Sequence, residues 1–159
     1  MPSKGFRVTS EDWTHANPER AWDVIVPVEL AKVFTGMKPL IPAVTGTRDQ
    51  TGDWDAAGQT RKIDLADGSE TAERIDIADR PNAFNYTVGP FSGPLGKFVD
   101  RAEGEFKFTE MNGGTHVRWT YVWFPSKGGT PIVWVLSKLW GVYARKMVVD
   151  LAKLAEPAE

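Results

Sequence analysis

Few side chains in this 159-residue chain could carry acid–base or metal chemistry, and none falls in a familiar catalytic spacing. There are two histidines, His15 and His116, and no cysteine. The lack of cysteine excludes disulfides, thiolate zinc sites and a cysteine nucleophile. It also accords with a reducing, cytoplasmic setting. There is no Gly-x-Ser-x-Gly elbow, Walker loop, dinucleotide Gly-x-Gly-x-x-Gly or His-Glu-x-x-His. His116 follows a turn and reads as an exposed hairpin residue. His15 ends the first strand, where a general base would need a partner to tune it. Asp53 and Asp55 flank Trp54 in a turn and read as solvated. Neither a metal site nor a cofactor is expected.

The polar residues of most interest are those that strand alternation sends inward. If Ile63 and Leu65 face the core, Arg61 lies on the same side. If Ile75 and Ile77 face it, so does Glu73. Either both charges lie near strand ends and reach water, or they are buried. Buried, they must pair or hold a polar group of a ligand, because an unpaired buried charge is costly. Tyr86, Tyr121 and Tyr143 offer further hydroxyls, for core packing or for hydrogen bonding.

Large rings dominate the rest of the inventory: seven tryptophans and eight phenylalanines. They fill a core, or they line a small-molecule pocket. The net charge of -2 and the lack of a basic run speak against nucleic acid as a partner. Residues 1–10 lack an apolar segment, so no secretory leader is expected. The most apolar stretch, 131–144, is interrupted by Lys138 and followed by Arg145 and Lys146. It is too short to span a bilayer.

The elements that would position these residues follow from periodicity and turn chemistry. Residues 6–15 predict a first strand. Asn17 caps a short helix over 18–26, with Pro18 at its first position and Ala21, Trp22, Ile25 and Val26 on its apolar face. A second short helix over 28–34 ends at Gly36. Strands follow over 44–49, 59–65, 70–78 and 83–88, with the Asp67-Gly68 hairpin and the Arg80-Pro81 turn between them. Residues 89–96, GPFSGPLG, read as a loop. Phe91 there is either a plug at a cavity mouth or a ring that anchors an ordinary loop. Strands over 101–110 and 115–124 close the run. In the last strand Val117, Trp119, Tyr121 and Trp123 point one way. Thr130 and Pro131 open a long helix to residue 155. Its stripe runs through Ile132, Leu136, Leu139, Tyr143, Met147, Leu151 and Leu154, widened by Trp140, Ala144 and Val148.

Length and order predict one α+β domain over 1–159, with its core over about 6–155. A curved antiparallel sheet of six or seven strands would wrap around the long C-terminal helix, with two short helices after the first strand. A helix of about 25 residues spans roughly 37 Å. Laid across a curved sheet it meets the ends better than the middle. Large side chains or a ligand must fill the gap. The expected wall takes Arg61, Ile63, Glu73, Ile75, Phe84, Tyr86 and Phe91 from the earlier strands and loop. Phe106, Phe108, Trp119, Tyr121 and Trp123 come from the later strands, and Leu136, Trp140, Tyr143 and Met147 from the helix.

Two runs carry a family resemblance. Residues 17–24, NPERAWDV, resemble the x-P-E-x-V-W-D-V opening helix of the START-like (SRPBCC) superfamily of polyketide cyclases, dehydrases and lipid-transport proteins. Residues 113–121, GGTHVRWTY, resemble its late G-G-T-x-V-x-W strand. The hairpin, the turn and the closing helix fall in matching order, from about residue 6 to 155. The resemblance implies the helix-grip fold of the birch-pollen-allergen type and a cavity for hydrophobic ligands such as lipids, sterols or polyketides.

Reaction type does not follow from fold. The leading expectation is a binding or transport protein for a hydrophobic small molecule. The second is a cyclase or aromatase in which Arg61, Glu73 or a tyrosine moves protons. The third is a membrane-surface or protein-partner module, since the last helix is amphipathic and carries Lys138, Arg145, Lys146 and Lys153. That reading ranks last, because the same apolar stripe is needed to cover the sheet.

Overall fold

The computed structural model describes residues 4–158, so the outermost ends of the 1–159 domain lie outside the described residues. The elements run β1 (Phe6–Thr14), α1 (Pro18–Ile25), α2 (Leu30–Val33), β2 (Val44–Arg48), β3 (Thr60–Leu65), β4 (Glu70–Asp79) and β5 (Ala83–Phe91). A 3-10 turn (Pro94–Lys97), β6 (Val99–Met111), β7 (Gly114–Pro125) and α3 (Thr130–Ala155) complete them. The strands form one antiparallel sheet in the order β1-β7-β6-β5-β4-β3-β2. Each hairpin adds a strand beside its predecessor, and β1 closes onto β7 at the far edge.

Local chemistry sets the ends of α1. The Asn17 side chain accepts a hydrogen bond from the Arg20 backbone N–H at 2.9 Å, and Pro18 opens the helix. Arg20 then reaches the far end of α3, donating to the carbonyls of Ala155 and Glu156 at 2.8 and 2.9 Å. It satisfies carbonyls that a helix C-terminus leaves free. Asp23 pairs with Arg80 through two bonds of 2.9 and 2.8 Å, tying α1 to the β4–β5 turn.

Four details depart from the sequence expectation. β5 continues through Gly89, Pro90 and Phe91, which were expected in a loop. Its pairing with β6 ends at Val88, so the N–H that Pro90 lacks is not required on that side. Ile77 is 49% exposed while Ile75 is 1% exposed, because a bulge between them shifts the register against β5. Thr130 does not cap α3. The helix starts one residue earlier, with Gly129 at the cap and no side-chain bond. Leu154 faces out, 50% exposed, and Val133 replaces Ile132 on the buried stripe. In addition, α2 is a single turn of four residues.

A candidate ligand cavity between the sheet and the long helix

The inner face of β7 buries Val117, Trp119, Tyr121 and Trp123, as alternation requires. Opposite them α3 buries Leu136, Trp140, Tyr143 and Leu151. Rings meet across the gap, with Trp140 centred 4.5 Å from Tyr121, 5.2 Å from Trp123 and 5.7 Å from Trp119. Between the layers lies a cavity of about 130 Å³. Apolar protein cavities of similar size take up benzene-sized guests.

The aromatic wall depends on one missing side chain. Gly104 on β6 sits between Tyr86 and Tyr121 in the sheet register. A Cβ at Gly104 would run into the Tyr86 ring. The glycine thus gives that ring its place. The Trp119 indole N–H donates to the Tyr86 hydroxyl at 2.9 Å, and the Trp119 ring stacks on Phe106 at 5.3 Å. Burial raises the Tyr86 and Tyr121 hydroxyls above the ordinary tyrosine value, so both stay protonated at neutral pH.

One part of the wall is polar. Arg61 and Glu73 face each other on β3 and β4. They are 6% and 7% exposed. The Arg61 Nε donates to Glu73 Oε1 at 2.7 Å, and the adjacent guanidinium NH2 nitrogen lies in ion-pair contact with the same oxygen, also at 2.7 Å. Trp54 covers the guanidinium, its ring centre 4.1 Å away. Burial pushes the Glu73 carboxyl up, against the opposing pull of Arg61. Thr71 lies on the same wall, and its hydroxyl has no hydrogen-bond partner. The indole N–H groups of Trp123 and Trp140 are likewise unpartnered.

The structure brings thirteen of the sixteen expected wall residues to the cavity. Ile75, Phe108 and Met147 are instead buried in the solid core. Phe108 packs on Trp22 of α1 at 5.9 Å. Phe91, half-buried, stacks on Trp123 at 6.1 Å and lines the cavity beside Leu95. Sequence reasoning missed the side formed by α1, α2 and residues 40–44. Ile25, Val26, Leu30, Phe34, Leu40 and Val44 all line the cavity. The apolar face of α1 was the available signal for the first two. Leu40 lies in irregular backbone, where no periodicity exists to read, and Val44 opens β2. Gly36 holds this side in place, with φ +81° and its N–H donating to the Tyr143 hydroxyl at 3.1 Å. Trp54 was also missed, because it is buried from a loop whose acids are exposed.

The histidines lie elsewhere. His15 Nδ1 is 3.0 Å from Glu156, and His116 is 3.8 Å from Glu11. Among the described residues, no group of three metal-ligating His, Asp or Glu side chains converges. No helix among them is long and apolar enough to cross a membrane.

A seven-stranded antiparallel sheet gripping one long C-terminal helix defines the α+β helix-grip fold. Many solved structures share it. The crystal structure of Ara h 8.0201 is similar over 94% of this chain and 99% of its own, at 15% identity and a TM-score of 0.61. The structure of the protein XoxI from Bacillus cereus is similar over 92% of this chain and 93% of its own, at 14% identity and a TM-score of 0.63. At such identities the likeness establishes the fold alone. No protein-family model and no curated protein matches the chain.

Proposed function

We propose that this protein binds a hydrophobic small molecule between the sheet and α3, with the Arg61–Glu73 pair as its polar anchor. The observation that carries this reading is an apolar, ring-walled cavity with a buried ion pair set in one side. Such a site is mostly apolar with a few placed polar groups, as ligand pockets are. The volume favours a compact guest of one or two rings. A sterol or longer lipid requires the half-buried Phe34, Phe91 and Leu95 to swing outward. The reading includes a cytoplasmic setting, which rests on the cysteine-free composition. Calorimetric titration with naphthalene and 2-naphthol tests it. Both bind at one site, 2-naphthol more tightly, and the hydroxyl's advantage disappears in Glu73→Gln. Absence of binding by either compound contradicts the proposal.

One observation favours a second reading, cyclase-type catalysis. Glu73 combines burial, a raised carboxyl and a place on the wall near Tyr121, as a proton-transferring acid in an apolar site would. Incubation with a linear poly-β-ketone thioester distinguishes the two readings. Catalysis predicts a cyclised product that Glu73→Gln fails to make, and simple binding predicts recovery of the starting material.

A further inference from the structure

The buried stripe of α3 covers the sheet, yet the helix carries a second apolar line on its opposite side. Val135, Val142 and Val149 are exposed, Val142 to 65%. They stand seven residues apart, so they form one line along the axis, drifting only about 20° per step. The line is about 21 Å long at 1.5 Å rise per residue. Trp134 is exposed near its N-terminal end. Lys138 and Arg145 flank the valines on one side, with Lys146 and Lys153 beside them, and all four are exposed. None of the four pairs with a carboxylate among the described residues. The one carboxylate on α3, Asp150, is half-buried beside Val149. Among the described residues, five of the seven exposed large apolar side chains sit on this one helix.

We infer that the outer face of α3 docks on an anionic lipid surface. A rim of four cations and one half-buried carboxylate around an apolar line matches acidic headgroups above acyl chains. The Lys138 ammonium lies 5.5 Å from the Trp134 ring centre, which places a cation beside an interfacial ring. A second copy of the chain is a poorer occupant, since its four cations would meet these four. The surface is separate from the cavity, and the inference does not rest on the ligand-binding reading. It does place α3 between bilayer and cavity, as Leu136, Trp140, Tyr143 and Leu151 line the hollow from its other side.

Flotation of the full chain with vesicles tests this, using phosphatidylcholine alone and phosphatidylcholine mixed with phosphatidylserine. The protein floats with the mixed vesicles, and added salt releases it. Lys138→Gln with Lys146→Gln weakens partition about 25-fold, at about fivefold per cation. Val142→Glu abolishes flotation while the unfolding temperature stays nearly unchanged, since the side chain is largely exposed. The inference is overturned if the wild type stays unbound at low salt, or if Val142→Glu floats as well as the wild type. It is also overturned if gel filtration shows a dimer that Val142→Glu dissolves, which assigns the face to a second copy. Retention on immobilised poly-glutamate without vesicle binding overturns it too, in favour of an acidic protein.

Discussion

Two opposing influences act on the Glu73 carboxyl. Burial disfavours its charge, and Arg61 supports it. Removing one partner leaves a buried charge unpaired, so Arg61→Met destabilises by about 3–5 kcal/mol. Arg61→Met combined with Glu73→Leu recovers most of that loss, because two apolar side chains need no partner. Urea unfolding of the three variants checks both statements. The sign of the pH effect also follows. Burial dominates, so the folded state holds the Glu73 proton more tightly than the unfolded chain does. Its contribution to stability is complete below the ordinary glutamate value and lost as pH rises toward the raised folded value. The Asp23 carboxyl, which Arg80 holds below its ordinary value, acts in the opposite sense. The difference in urea stability between wild type and Glu73→Gln therefore isolates Glu73, and it shifts against the wild type as pH rises. Gly104 gives a prediction of another kind. Gly104→Val forces the Tyr86 ring off the sheet and breaks its bond from Trp119. The Trp119 indole NMR signal moves and stability falls.

At the scale of elements, β7 and β4 show what periodicity can and cannot convey. β7 pairs on both sides without a break for most of its length, so strict alternation carries Val117, Trp119, Tyr121 and Trp123 inward. β4 contains two register shifts, and two isoleucines of the same parity end on opposite faces. Alternation correctly put Arg61 and Glu73 on the inner face of their strands and failed at Ile77, because a bulge leaves no mark in apolar pattern. Ile75→Ala thus costs about 2–5 kcal/mol, whereas Ile77→Ala stays within about 0.5 kcal/mol. Equilibrium denaturation measures both. The rim at residues 40–42 was illegible for a related reason, since irregular backbone has no period. On α3 a single apolar stripe was legible, but the second stripe was not separable from it. Apolar residues on two sides blur the helical period. Trp140→Ala, on the cavity side, costs about 3–5 kcal/mol. Val142→Ala, on the outer side, stays within about 0.5 kcal/mol.

At the scale of the whole molecule, a twisted sheet and one long helix cannot touch everywhere, and the space left between them is the candidate site. Rings on β5, β6, β7 and α3 prop against one another around that space rather than filling it. The overall order of elements was legible because hairpin turns and a long helical period are strong local signals. The cavity's volume was not, because it depends on how closely α3 approaches the sheet. The seven indoles report on this directly. Those of Trp119, Trp123 and Trp140 line the cavity, while Trp13 and Trp134 lie outside it. The decisive measurement is an NMR titration of the indole N–H signals with naphthalene, each signal assigned through its Trp→Phe variant. Saturable shifts at Trp119, Trp123 and Trp140, with Trp13 and Trp134 unmoved, are the predicted result. Signals that stay fixed, or that move only at Trp134, would contradict a ligand site between the sheet and α3.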